Sequence, residues 1–407
     1  MTTIQTQSTQ ACPIDHSQYQ RKTKPQPKTF PPAPIRQDED GTWHITDYQI
    51  AKQILRSQNV SQAGFSAEAV MEIPSMTKPA ILFLEGKEHT RQRKQTARFF
   101  TPKRTLEYRQ LMLDYADKII GDLQKNGRAN LENMSMEMAT LVASQIVGLK
   151  SDNLPNLSRK IVNMVSGKPV SKGLNPSSIW RQAVTQWNTF AFYWFDVRPA
   201  IQQNRANPGD NVISHLVQSE YKDMEILIEC ITYAAAGMAT TREFICIAFL
   251  HLIENDTLRD QFLNSEDEKE RHQILHEILR LEPVVSNLYR RAQANIEIEH
   301  DGTTVTIKKG DKIDLDIHAT NTQETAVGSN PYEICPTRQR AHRIPEPVMS
   351  FGDGHHRCPG AYVAIQETDI FLRKLFAIEG LHIENQPDFL RNEQIQSYEL
   401  RNFIIAV

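Results

Sequence analysis

Residues 350–360 read SFGDGHHRCPG, and three glycines, two histidines and one cysteine share those eleven positions in a chain with only five cysteines. Cys358 is followed by Pro359 and then by GAYVAIQETDIFLRKLF, a sequence with helical periodicity. Proline suits the first helical position, because the N–H it lacks would have had no partner there. The spacing therefore predicts a helix from just after Cys358 to about Ile378, with the sulfur at its N-terminus. The helix dipole and the free N–H groups favour an anion at that point. A cysteine so placed is expected to have a lowered pKa. Gly352, Gly354 and Gly360 would let the backbone turn sharply and approach something flat and closely packed.

A thiolate held this way suits the iron of a haem. Taken singly, Cys358 reads first as a buried structural cysteine. Zinc held by His355, His356 and Cys358 is a weaker alternative. Adjacent histidines point in different directions, and no second Cys or His cluster lies nearby to complete four ligands.

Composition narrows the field. The chain has 407 residues, 40% of them hydrophobic, which is enough for a large core. Its net charge of -3 offers no global basic field for nucleic acid. Cys12, Cys230, Cys246, Cys335 and Cys358 are scattered and odd in number, which reads as thiols of a reducing cytosol and not as a disulfide framework. The N-terminus, MTTIQTQSTQ, lacks the basic-then-apolar pattern of a secretory signal. The longest apolar run, Phe244 to Leu250, falls far short of the roughly 20 residues of a membrane span. A cytoplasmic protein without a membrane anchor is expected.

Along the chain, residues 1–38 read as an irregular lead-in and 39–407 as one large domain. GTWHIT carries a short strand signal. Helices are predicted over 105–125, with a stop near Gly127, and over 131–148, where the sequence is apolar nearly all round and should be buried. Residues 166–178 break the pattern. The aromatics of 180–195 follow at helical spacing, which argues core packing. The longest helical signal runs from Asp223 to Glu254, and its centre, YAAAGMATT, is small and apolar. After Pro283, NIEIEHDGTTVTIKKGDKIDLDI alternates apolar and polar residues around Asp-Gly and Lys-Gly turns, which is hairpin chemistry. The expected fold is mainly α with a smaller β region.

The loop FGDGHHRCPG resembles the haem-binding signature of the cytochrome P-450 superfamily, F-G-x-G-x-H-x-C-x-G, at all six fixed positions. The resemblance implies the cytochrome P-450 fold and haem b as cofactor. It implies Cys358 as axial iron ligand, Phe351 beside the sulfur, Gly360 in the loop and His356 at a haem propionate. HEILRLEP resembles the family's E-x-x-R motif, with Glu277 and Arg280 on one helix face. Arg338, in CPTR, fits the third place of that structural triad. GKEHTRQRKQTARFFTP offers His89 and Arg93 at i, i+4 as propionate partners, and LYRRAQANIEI offers Arg290 before Arg291. The likeness spans roughly residues 40–405, and no fused reductase is expected at this length.

AAGMATT resembles the family's oxygen-activation pattern at Ala236, Gly237 and Thr240, whose hydroxyl would help deliver protons. The usual acid is replaced by Ala239. Glu243, one turn on and on the same face as Thr240, could substitute as a relay, but a helix-surface or interhelical salt bridge is the preferred reading.

By position in the family, substrate-pocket walls are expected from Phe65, Met71, Ile73, Ile81, Phe83, Val165, Tyr233, Ala236, Val284, Val285, Asn287 and Tyr398. Residues 337–343 with Arg357, Arg98, Lys103 and Arg104 could form a basic patch for a ferredoxin- or flavodoxin-type electron donor. The expected activity is a monooxygenase using O2 and two electrons on an apolar small molecule, in secondary metabolism. Because of Ala239, dehydrogenation, oxidative coupling or cyclisation on the same fold is the alternative. A haem-binding sensor or carrier without turnover is a third.

Overall fold

The computed structural model describes residues 21–23, 33–65, 78–149, 154–165, 176–392 and 397–407. Within these the chain is mostly helical. The helices that matter for the site are α1 (Tyr48–Arg56), α2 (Gly86–Thr96), α3 (Arg109–Asn126), α4 (Leu131–Val147), α5 (Leu154–Val165), α6 (Pro176–Phe192), α7 (Asp223–Tyr233), α8 (Thr240–Ile253), α9 (Glu268–Leu281) and α10 (Ala361–Phe376).

Helix ends follow their cap chemistry. α3 stops at Gly127 and α4 at Gly148, both at positive φ, where glycine carries no Cβ penalty. The helix expected over 105–125 is broken at Tyr108. A separate short helix, Pro102–Glu107, precedes it, started by proline and by the Thr101 hydroxyl accepting from Arg104 N. α4 is buried almost throughout, as its all-round apolarity requires.

Asp223–Ile253 is one helical run of 31 residues. It is long and apolar enough to cross a membrane, yet its most apolar stretch is 72% buried inside the protein. Ala234–Ala239 within it is π-helical. Such a turn inserts an extra residue and is frequent at functional sites.

The strands are β1 (Ile35–Gln37), β2 (Trp43–Ile45), β3 (Val60–Gln62), β4 (Arg128–Asn130), β5 (Asn287–Ala292), β6 (Ile296–His300), β7 (Thr303–Ile307), β8 (Lys312–Asp316), β9 (His382–Asn385), β10 (Asp388–Asn392), β11 (Ser397–Arg401) and β12 (Ile404–Ala406). The largest sheet has the order β1-β2-β8-β5-β3. β6 and β7 form the expected hairpin, turned by Asp301 and Gly302, both at positive φ. The second turn does not extend that hairpin: after Gly310, β8 crosses to pair with β5 and β2.

Three sequence expectations are corrected. The lead-in is not wholly irregular, since β1 pairs with β2, and the Lys22 and Thr23 amides donate to the buried Glu282 carboxylate. The aromatics of 180–195 are not mainly core: Phe192 is buried, but Trp180, Trp187, Phe190, Trp194 and Phe195 face solvent. The cysteines are not all free thiols. Cys230, Cys246 and Cys358 are, but Cys335 is disulfide-bonded, and Cys12 lies outside the described residues.

Candidate active site

The cysteine loop is pinned from both sides. Gly354 has φ +68°, and a Cβ there would lie 2.1 Å from the Leu55 carbonyl oxygen at the end of α1, so only glycine fits. Arg56 holds the neighbouring Asp353 at 2.9 Å, and Cys358 N donates to Phe351 O at 2.9 Å.

Helix α10 begins at Ala361 with Gly360 as its cap, so Pro359 precedes the helix and is not its first residue. The sulfur still faces the helix start, where the Gly360 and Ala361 N–H groups are directed at it. The lowered thiol pKa is not borne out. Burial among protein atoms raises it, and these two N–H groups with Arg93 and Arg357 only partly offset that. Cys358 nevertheless remains solvent-accessible, the combination a concave surface gives.

Around the loop gathers a cluster rich in cations and imidazoles. Helix α2 places His89 and Arg93 on one face. The His89 ring packs on His356 with centroids 4.2 Å apart, and its Nδ1 is buried with no hydrogen-bond partner. Burial, with His356 and Arg93 beside it, brings the His89 pKa down to about 4, so the expected cation is a neutral imidazole here. Arg93 donates to the Arg357 carbonyl and lies within electrostatic reach of both Cys358 and Tyr233, joining the loop to α7.

Arg290, on β5, is 3% exposed; it donates to Gln62 and to Tyr289 O, and burial takes its pKa down to about 10. Arg291 instead reaches Gly310 O. Glu85, which the sequence reading missed, is the acid of this cluster. It accepts from Gln62 N at 2.8 Å and meets His356 Nε2 at 3.2 Å. Burial works to raise its pKa, but His356 and the Gln62 amide outweigh that and hold it below the usual range. Glu85, His355 and His356 offer ligand-type atoms within 4.8 Å of one another, but Cys358 is not part of that group.

Among the described residues, an orphaned buried imidazole nitrogen, two arginines without a carboxylate partner in hydrogen-bond contact and an accessible thiol make a donor set that fits an iron porphyrin bearing two carboxylates.

The long helix crosses this region. α8 is buried along nearly its whole length, yet Ala236 is exposed and Gly237, Ala239 and Thr240 are half-buried. An accessible face in the middle of a core helix marks a cavity wall. A Cβ on Gly237 would meet nothing within 4 Å. Thr240 Oγ1 donates to Ala236 O at 2.6 Å.

Glu243 is not available as a relay. Its carboxylate is buried against Arg242, accepts from Leu400 N at 2.9 Å and pairs with Arg401 at 2.8 Å. Glu229 and Glu367 are buried acids that the sequence did not single out. Glu229 accepts from Ile81 N and Gln92, both at 2.8 Å, and burial pushes its pKa up to about 7. Glu367, on α10, is bonded by the Thr241 hydroxyl, and burial raises its pKa well above the ordinary value. Acid type alone gave no signal; their place on apolar helix faces was the one hint.

The expected pocket residues divide. Tyr233 is partly exposed, with its ring stacked on Phe100 at 5.9 Å; Phe83 and Val285 are half-buried, and Ile81 and Val284 are buried. Phe65 sits at φ 57° at the end of the strand β3 segment. Asn287 turns its amide to Asp314 at 2.7 Å. Tyr398 belongs to the core and not to an open wall, with its hydroxyl donating to Glu282 O at 3.0 Å. Met71, Ile73 and the side chain of Val165 lie outside the described residues.

The E-x-x-R residues do meet. Glu277 bonds Arg280 at 2.9 Å and Arg338 at 3.0 Å, all buried. Arg338 therefore leaves the expected basic patch, and Arg104 is paired with Glu107 and Asp210. Arg98, Lys103, Arg343 and Arg357 remain exposed. A cavity of about 460 Å³ on this side is lined by Gln273 and residues 336–344.

The Cytochrome P450 family model matches residues 14–269 and 271–392. The biotin biosynthesis cytochrome P450 of Bacillus subtilis is 24% identical, over 85% of each chain. A steroid C26-monooxygenase of Mycolicibacterium smegmatis is 22% identical, over 86% of this chain and 78% of its own. Among solved structures, P450BioI in complex with an acyl carrier protein superposes with a TM-score of 0.73 at 20% identity, over 92% of this chain and 95% of that one. CYP109E1 of Bacillus megaterium with corticosterone gives 0.74 at 18% identity, over 92% and 95%. The chain belongs to the cytochrome P450 family, haem-b oxidoreductases with monooxygenase activity.

Proposed function

We propose that this monooxygenase oxidises an apolar small molecule, using O2 and two electrons from a separate ferredoxin- or flavodoxin-type protein, in cytoplasmic secondary metabolism. The observation that carries the reading is the meeting of the Cys358 loop, the His89/Arg93/Arg290/His356 cluster and the accessible face of the long helix, joined through Arg93. Relatives named for biotin biosynthesis and steroid C26 oxidation, and fold neighbours solved with corticosterone and testosterone, support an apolar substrate.

Bound haem supplies oxygen activation and the path for electrons. Cys358 Sγ would ligate its iron. Bound metal would favour the thiolate of Cys358, which burial by itself disfavours. Phe351 and Gly360 shape the loop around the sulfur. His89, Arg93, Arg290 and His356 would hold the propionates. Ala236 and Gly237 leave room, and the Thr240 hydroxyl positions a proton at Oγ1. Phe65, Ile81, Phe83, Tyr233, Val284 and Val285 wall the substrate. Exposed Arg98, Lys103, Arg343 and Arg357 attract an acidic donor, so association weakens with salt.

The test has two parts. Cys358→Ser should lose the red-shifted Soret band of the reduced carbon monoxide complex. The wild type, with a surrogate donor and a compound library, should form product. An intact band without product from any compound would favour a sensor or carrier.

A second reading keeps the site and changes the reaction. Ala239 stands at the usual acid position, and Glu243 is held in ion pairs. Both favour an oxidation that depends less on proton delivery, such as dehydrogenation, coupling or cyclisation.

A further inference from the structure

Two polar atoms lie buried and unpaired where α9 packs on α10. His272, on α9, is 8% exposed, and its Nε2 has no hydrogen-bond partner among the described residues. Gln366, on α10, is fully buried. Its amide nitrogen donates to Glu268 at 3.3 Å, but its Oε1 meets no donor among the described residues. Buried polar atoms are nearly always satisfied, so such orphans call for a water or an ion.

The atoms beside them say which. Glu268 and His272 stand at i, i+4 on one face of α9, and Asp369 meets them from α10. One ligand-type atom from each of the three lies within 4.8 Å of the other two. His272 Nε2 is 4.0 Å from Asp369 Oδ2, too long for a hydrogen bond. Metal bonds of about 2.0–2.2 Å span donors up to about 4 Å apart, so small side-chain rotations bring all three onto one ion. Burial outweighs the two acids and lowers the His272 pKa, which favours the neutral ring with its free lone pair. Imidazole nitrogen with carboxylate and amide oxygens is a donor set for a borderline divalent ion such as Zn2+.

Each carboxylate also carries an arginine. Asp369 takes the Arg271 fork at 2.7 and 3.0 Å, and Glu268 pairs with Arg109. Metal-binding carboxylates are themselves hydrogen-bonded in this way. The Arg109 and Glu268 side chains are 36% and 29% exposed, so their pair can open to admit an ion. The other group of ligand-type atoms, Glu85 with His355 and His356, belongs to the cofactor cluster. We propose that Glu268, His272 and Asp369, with Gln366 Oε1 as a fourth donor, bind one divalent ion of the Zn2+ class. The ion braces α9, which carries Glu277 and Arg280, against α10, which follows the cysteine loop. The proposal stands independently of the substrate reading.

The haem-loaded full chain, stripped with EDTA and exchanged into metal-free buffer, should be dialysed against Zn2+ and, in parallel, against Mg2+. Stoichiometric uptake of Zn2+ is expected, with a raised melting temperature, and neither is expected with Mg2+. His272→Gln should weaken Zn2+ binding at least about 100-fold, since loss of a mere outer partner already costs about 10–100-fold. Glu268→Gln changes a part-exposed side chain that the fold does not depend on, and it should weaken binding too. Arg109→Gln removes a competing cation and should tighten binding about 2–5-fold, as for releasing one part-exposed ion pair. His355→Gln should leave the bound Zn2+ in place. No uptake by the wild type would mean that water fills the gap, and would overturn the proposal. So would equal binding by His272→Gln and the wild type, or loss of the ion in His355→Gln, which would assign it to the other group.

Discussion

Glu277 and Arg338 are separated by 61 positions in the chain and meet at 3.0 Å in its interior. The same carboxylate holds Arg280 and accepts from Cys335 N at 3.1 Å. It thereby ties α9 to the irregular segment that leads into the cysteine loop. Burial acts to raise the Glu277 pKa, but Arg280, Arg338 and the Cys335 amide together hold it low. Removing the carboxylate would strand two buried guanidinium groups. Glu277→Ala is expected to cost about 3–5 kcal/mol, read as a lowered urea midpoint and poor haem retention. A variant with normal midpoint and haem content would refute the structural role.

Gly354 meets the Leu55 carbonyl so closely that no side chain fits, and its φ is +68°. Gly354→Ala should therefore displace the loop from the end of α1, at a cost of at least about 2 kcal/mol. Reduced haem occupancy, with the Soret band of the remaining holoprotein broadened, is the expected signature. Full occupancy and an unaltered melting temperature would show that α1 yields instead.

Glu229 makes stability depend on pH. Its folded-state pKa of about 7 stands above the ordinary 4.5, raised by burial. The folded state binds its proton more tightly, so the associated stability is complete below pH 4.5. It falls as pH rises toward 7 and is absent above. The difference amounts to a few kcal/mol. Glu229→Gln cannot ionise, and its denaturation midpoint should vary less across that window than the wild type's. Parallel pH profiles for the two proteins would count against the assignment.

Ala239 occupies the position where the family carries an acid, and Glu243 is committed to Arg242, Arg401 and Leu400 N. If proton delivery limits turnover, Ala239→Asp should change the ratio of product formed to reductant consumed. The same ratio in both proteins would place delivery elsewhere.

Sequence alone determined the parts that depend on local spacing. The FGDGHHRCPG loop, the i, i+3 pair of Glu277 and Arg280, the i, i+4 pair of His89 and Arg93, and the long apolar helix could all be read from order and period. Those features need only neighbouring residues and helical geometry. Tertiary structure decided whatever depends on which distant groups share a space. It showed that the cysteine's burial raises its pKa, because desolvation is set by the whole surround and not by one helix terminus. It paired Glu243 with Arg401 and placed Glu85 beside His356, contacts made across 158 and 271 positions of chain. It also turned the aromatics of α6 outward, since helical period fixes that they share a face but not which side the body occupies.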